Sequence, residues 1–319
     1  MEYQWYPGHM TKARRMMEES IRLVDLVIEI LDARVPDSSR NPDIDRLARG
    51  KERLLILAKA DLADPNRTQL VIRQQEAAGM AALALDARSD KSNPEIRRAI
   101  QEATHKKRER DARRGLVNRP VRAMVCGIPN VGKSTFINSL SGRKRTRTGN
   151  KPGVTRGKQW ISLGGIDLLD TPGLLWPKFE DRQVGVNLAL VGSIREEILD
   201  EEELALELLA ILLSDYPQLL VRRYAIAIPA EGRAGDAAQQ KVSAIHDEMS
   251  YTVMERYEIL RQIALCRGLV RSGGEPDQKR AAALLLDEFR SGRIGRITID
   301  RAGDCADPPF IEQDDSFGV

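Results

Sequence analysis

Residues 121–141 read VRAMVC, GIPNVGKST, FINSLS: an apolar run from Val121 to Cys126, then Gly127-Ile128-Pro129-Asn130-Val131-Gly132-Lys133-Ser134-Thr135, then an apolar-periodic segment. The run predicts a buried strand and the last segment a helix over 135–140, with G-x-x-x-x-G-K-[ST] satisfied between them at every defined position. That setting is what the pattern needs. Glycines free φ so that successive backbone N–H groups can ring a phosphate chain, and the following helix N-terminus adds partial positive charge. Lys133 is expected on the β- and γ-phosphates and the Ser134 hydroxyl on Mg²⁺, with Asn130, Val131, Gly132 and Thr135 completing the cradle. The bland alternative is a glycine-rich turn with an accidental Lys-Ser, which leaves the flanking strand and helix unexplained.

Working outward, Ile166 to Leu169 predicts another apolar strand, ending in Asp170-Thr171-Pro172-Gly173. Asp170 can hold magnesium through a water, and the Gly173 N–H can reach a γ-phosphate and let go when it leaves. Between the two motifs lies Gly153-Val154-Thr155, whose Thr155 hydroxyl could complete the magnesium shell. Upstream, Ala58-Lys59-Ala60-Asp61 follows a predicted strand at 54–58 and resembles the guanine-reading Asn-Lys-x-Asp signature. Asp61 can accept from guanine N1–H and N2–H₂, a pair adenine cannot offer, while the Lys59 stem can lie over the ring. Asp86-Ala87, after a strand at 82–85, is placed to offer a backbone N–H to guanine O6. Taken alone, AKAD reads as a surface strand end; beside the other elements it reads as the base site.

Strands alternate with helices through this half. Helices are expected over 10–24, 66–78 and 94–112, with strands at 26–31, 54–58, 82–85, 121–126, 159–163 and 166–169, which predicts an α/β, mostly parallel sheet. After Pro177 the apolar period becomes three and four, at Leu204, Leu208, Ile211 and Leu212, at Val253, Tyr257, Leu260 and Ala264, and at Ala282, Leu285, Leu286 and Phe289. The expected domains are 1–177, a nucleotide domain; 178–301, a small helical RNA-binding domain; and 302–319, an acidic tail. Pro276 is expected to open the last helix.

The phosphate loop comes after the base-reading loops, the inverse of an ordinary GTPase. This order, with Tyr6-Pro-Gly-His9-Met10, Asp32-Ala-Arg34-x-Pro36 and GIPNVGKST, resembles the circularly permuted P-loop GTPases, and among them the bacterial ribosome biogenesis GTPase A (YlqF) family. The likeness runs to about Arg301 and includes FRSGRIGRIT, and the Cys/His zinc cluster of the small-subunit YjeQ type is lacking. It implies a GTP-hydrolysing factor that binds the large-subunit precursor and ribosomal RNA, is released on hydrolysis, and turns over slowly until a particle stimulates it. Leu174 and Leu175 occupy the place of a water-orienting Gln, so the resemblance points to His9 for that role, and to Asn130 as a ligand for potassium. Ala58 departs from the pattern, since an Asn there would contact guanine N7 and brace the phosphate loop. Asp86-Ala87 departs from the common Asn-Ser or Ser-Ala.

Composition narrows the setting. Hydrophobic residues at 42 % and charged ones at 30 % exclude a disordered polymer or fibre, and no apolar run nears the ~20 residues of a membrane span. Three distant cysteines signal neither a disulfide framework nor a zinc knuckle. A cytoplasmic monomer is expected. Net charge is +3, but 302–319 holds five acids and no base, so the body carries +8. Seven basic and no acidic residues lie in 143–158, which suits phosphates and stacked bases beside Trp160. The six bases of 106–114 are interleaved with Glu109 and Asp111 and read as a solvated face. The rival readings are a nucleotide-gated RNA-binding module with little turnover and, disfavoured by Lys59 with Asp61, an ATPase.

Overall fold

Leu26–Asp32 (β1) is buried at all seven positions, which a strand achieves only with neighbours on both edges and cover on both faces. In the computed structural model it pairs in parallel with Glu52–Ala58 (β2) and with Val121–Cys126 (β4). The structure describes residues 8–86, 92–116, 119–141, 159–171, 182–194, 200–228 and 251–300, the side chains of 8–14, 92 and 159 excepted. Among these, Ala81–Leu85 (β3), Gln159–Ser162 (β5) and Ile166–Asp170 (β6) complete one sheet in the order β3-β2-β1-β4-β6-β5. Only β5 runs antiparallel, paired with β6. Gly164 and Gly165, at φ 59° and 88°, make the two-residue turn between them, the positive-φ pair that a tight hairpin of this twist requires.

Every parallel strand points its C-terminal end the same way, so the loops after Asp32, Ala58, Leu85, Cys126 and Asp170 gather along one edge. Ligands of open α/β sheets bind along such an edge. Backbone bonds lock neighbouring ends together, from Ala33 N–H to the Ala58 carbonyl (2.8 Å) and from Ala60 N–H to the Leu85 carbonyl (3.2 Å). Gly8–Ile21 (α1) and Pro42–Leu47 (α2) bury Met17, Ile21 and Ile44 with Val27, Met124 and Cys126. Pro65–Ala77 (α3) packs Val71 and Ile72 near Leu31, Leu55 and Leu57.

Two sequence expectations need correction, and one helix was unforeseen. The single helix over 94–112 is two, Ser92–Ala103 (α4) and His105–Arg113 (α5). The break falls at Thr104, whose hydroxyl donates to the Ile100 carbonyl at 2.7 Å, a local bond that competes with helix continuation. Pro276 does not open the last helix: it forms a β-bridge with Val270, and Asp277 caps Gln278–Arg290 (α11) by accepting from Arg280 N–H. The short helix α2 was not expected, although Asn41 and Pro42 form a regular N-terminus, the Asn41 side chain accepting from Asp43 N–H.

The chain divides into two compact units, one holding the described residues up to Asn187 together with Thr298–Asp300, the other Leu188–Ile297. The division falls within Arg182–Leu190 (α7), ten residues beyond the boundary read from sequence at 177. The second unit contains Glu201–Asp215 (α8), Pro217–Tyr224 (α9), Val253–Cys266 (α10) and α11. Leu204, Leu208, Leu212, Leu260, Ile263, Leu285 and Phe289 are buried within it. A polar cluster in it centres on Glu288, which accepts from the Tyr224 hydroxyl (2.8 Å) and Arg223 Nε (2.9 Å) and pairs with Arg267 (3.6 Å). The basic stretch 143–158 and the acidic tail 302–319 lie outside the described residues. Among those described, no single helix is long and apolar enough to cross a membrane.

Candidate functional site

The phosphate loop begins where β4 leaves the sheet. Gly127 has φ +148°, and a Cβ there would lie 2.5 Å from the Ile30 carbonyl oxygen, so the neighbouring strand's backbone excludes any side chain. Asn130 (φ 57°) and Gly132 (φ 115°) turn the loop through left-handed backbone before Lys133–Ser141 (α6) starts. Turns of this kind align N–H groups toward one concavity, and the nine-residue helix behind contributes its positive end. Val131 is buried in the loop's base, while Ser134 and Thr135 are half-buried at the first turn of α6.

Lys133 is buried and folds back on this loop, its ammonium donating to the carbonyls of Gly127 (3.2 Å) and Ile128 (2.7 Å). Burial pulls its pKa down to about 8, with the Asp170 carboxylate acting in the opposite direction. Asp170, buried at the end of β6, is in register with Val125, two residues before Gly127. Thr171 fixes the exit of β6, donating its hydroxyl to the Val125 carbonyl at 2.7 Å. A carboxylate and a hydroxyl are hard oxygen donors, the chemistry that suits magnesium.

Toward β2 and β3 a cavity of about 210 Å³ is lined by Ala58, Lys59, Asp61, Leu62, Leu85, Gly132 and Thr135. It joins the AKAD segment on one wall to two phosphate-loop residues on the other. A Cβ built on Gly132 would stand 3.5 Å from the Ala58 Cβ, so position 58 faces the phosphate loop directly. Lys59 takes a left-handed backbone (φ 59°), unusual for a side chain-bearing residue and concentrated at functional sites. Its ammonium meets the Asp32 carboxylate at 2.8 Å. Asp32 is fully buried and also accepts from Arg34 Nε (2.9 Å) and Nη2 (2.8 Å), which hold its carboxyl far below the usual range against the cost of burial.

Of the residues named from sequence, Ala58, Lys59, Asp61, Gly132 and Thr135 line one cavity. Lys133 follows Gly132 at the start of α6, and the Asp170 carboxylate acts on its charge. Ala60 is bound to the end of β3, and Asp86 follows it half-buried. His9 falls in the first turn of α1, but its side chain, like Ala87, Thr155 and Gly173, lies outside the described residues. Sequence reading gave no role to Asp32, Arg34 or Thr171. The signal for the first two was present, since an acid and a base two residues apart at the end of a largely apolar strand are favoured to pair when both are buried.

The family model described as "50S ribosome-binding GTPase" matches residues 122–223. The chain is 40 % identical over 310 residues to "Ribosome biogenesis GTPase A" of Priestia megaterium, spanning 97 % of this chain and 100 % of that protein. "Mitochondrial ribosome-associated GTPase 1" of Mus musculus is 31 % identical, over 93 % of this chain and 90 % of its own length. Among solved structures, GNP-bound YlqF from T. maritima superposes with a TM-score of 0.57 at 25 % identity, covering 91 % of this chain and 98 % of that one. A GDP-bound YlqF gives 0.58 at 26 %, over 89 % and 98 %.

Proposed function

The chain belongs to the ribosome biogenesis GTPase A family, and we propose that its nucleotide cycle times binding to, and release from, a precursor of the large ribosomal subunit. It is a GTPase of ribosome assembly with a permuted α/β nucleotide domain. The observation that carries the site is the cavity shared by Lys59 and Asp61 with Gly132 and Thr135, because the two ends of one nucleotide need both walls. Asp61 is the reader of guanine N1–H and N2–H₂, Asp86 and Ala87 the approach to O6, and Lys133 with Asn130, Val131 and Ser134 the phosphate cradle. Ser134, Thr155 and Asp170 would hold magnesium, which when bound offsets charge on the β- and γ-phosphates. The neutral, hard amide oxygen of Asn130 suits potassium. Lys133 need only leave the Gly127 and Ile128 carbonyls to meet a phosphate.

Hydrolysis requires an oriented water, and Leu174 and Leu175 can neither donate nor accept. His9 is the candidate for that task, with Gly173 reporting the γ-phosphate. We read the basic stretch 143–158 as the contact with ribosomal RNA, made by a cytoplasmic monomer. The test is titration with GTP and ATP, followed by turnover with and without large-subunit precursor. GTP preference, slow basal hydrolysis and strong stimulation by the particle are expected. Equal affinity for the two nucleotides would overturn the base site. Unchanged stimulated turnover in His9→Ala would overturn the role of His9, and RNA binding insensitive to salt would overturn the basic contact.

A further inference from the structure

Between the guanine-reading end of β2 and the phosphate loop after β4 stands β1, and its last residue, Asp32, touches the base site through Lys59. We infer that Asp32 is a positioning residue for guanine recognition: it holds the Lys59 ammonium so that the lysine stem lies along the cavity wall as a platform that sets the base in register with Asp61. The inference rests on the guanine site proposed above and adds to it a residue that does not itself meet nucleotide.

The carboxylate is immobilised before it meets the lysine. One oxygen accepts from the Arg34 backbone N–H (3.1 Å) and Nε (2.9 Å), and the other from Arg34 Nη2 and Lys59 Nζ, both at 2.8 Å. Asp32 N–H is itself bound to the Ser39 hydroxyl at 3.0 Å. The partners differ in exposure: the Asp32 and Arg34 side chains are 0 % and 2 % exposed, that of Lys59 23 %. So the lysine alone of the three reaches the cavity, while its charged end is anchored in the protein interior. Without the anchor, a four-carbon stem on a left-handed backbone would be free to sample water. The arrangement also bears on Ala58. Where an Asn would brace the base loop to the phosphate loop, this chain has a methyl group, and the ion pair to β1 is a brace from the adjacent strand.

The test measures GDP, GTP and ATP affinities of the full chain by fluorescence titration, with wild type, Asp32→Asn, Asp32→Glu, Lys59→Gln and Asp32→Asn/Lys59→Gln. Asp32→Asn is expected to weaken GDP and GTP about tenfold and ATP little, so that the GTP-to-ATP preference falls by a similar factor. The double variant should lose no more preference than the worse single, because both act through one contact. Asp32→Glu keeps a charge for Arg34 and so guards against loss of the fold, but misplaces the lysine, and should also lower the preference. A preference unchanged in folded Asp32→Glu or Asp32→Asn, or losses that add in the double variant, would overturn the inference while leaving the guanine site standing. No guanine preference in wild type would overturn both.

Discussion

The ammonium of Lys133 donates to the carbonyl of Ile128 at 2.7 Å, so the loop that would receive phosphate oxygens holds its own cation through backbone oxygens. Carbonyls compensate a buried charge only in part, and burial brings the lysine down to about 8. A polyphosphate would restore the charge.

Nucleotide binding should therefore take up a proton at pH values above about 8, where free Lys133 is neutral. Calorimetry in two buffers of different ionisation enthalpy reads this uptake, which should vanish near pH 6. The stability linkage has a definite sign. From about 8 to the ordinary lysine value of 10.5 the folded chain binds fewer protons than the unfolded one, so this group makes the fold more stable as pH rises through that window. Lys133→Met should remove that slope in urea titrations.

Ala58→Asn should tighten GTP binding by about 1 kcal/mol, several-fold, by supplying a hydrogen bond to the base and a brace to the phosphate loop. Position 58 faces Gly132 across ordinary van der Waals distance, 3.5 Å for a built Cβ, so the longer side chain meets the loop directly. A titration showing weaker GTP binding in a folded variant would mean that the site has closed around the methyl group.

Gly127→Ala and Gly164→Ala separate steric from conformational cost. At Gly127 the added methyl would sit 2.5 Å from the Ile30 carbonyl, a strand backbone that cannot yield, and a loss of more than about 2 kcal/mol is expected. At Gly164 nothing lies within 4 Å, and only the positive φ is penalised, by about 1 kcal/mol. Urea midpoints compare the two.

The segment Thr298–Asp300 belongs with the nucleotide unit. Asp300 accepts from the N–H groups of Asp37 (2.7 Å) and Ser38 (2.8 Å), the Ser38 hydroxyl (2.6 Å) and Asn187 Nδ2 (2.9 Å). Arg67 donates to the Thr298 and Asp300 carbonyls. Asp300→Asn turns an acceptor into a donor facing donors, and should cost about 2–3 kcal/mol. Burial raises the Asp300 carboxyl from 3.8 to about 6, so its linkage term is fully present below 3.8 and is lost as pH rises through 6. The asparagine variant should lack that component in stability curves measured between pH 4 and 7.

The chemistry of this chain was legible wherever it was written in contiguous residues. G-x-x-x-x-G-K-S after an apolar run, an Asp at a strand end, and Lys-x-Asp after another strand each state their chemistry by residue type and spacing. Strand positions were legible for the same reason, since a strand covered on both faces is mostly apolar, Glu29 and Asp32 of β1 being the buried exceptions. The helix break at Thr104 was not, because the residues on either side continue the helical pattern.

What the sequence indicated by itself was which loops have the residue types for phosphate and base chemistry, and that their order along the chain is inverted. Tertiary structure alone decided what those loops lean on. Gly127 is bare because Ile30, in another strand, occupies its Cβ position, and Lys59 is anchored by an aspartate 27 residues earlier. Asp300 is held by Ser38 across 262 residues. Burial makes such distant pairs obligatory, since a charge removed from water must find compensating groups wherever the fold brings them, and nothing in local spacing says where that will be.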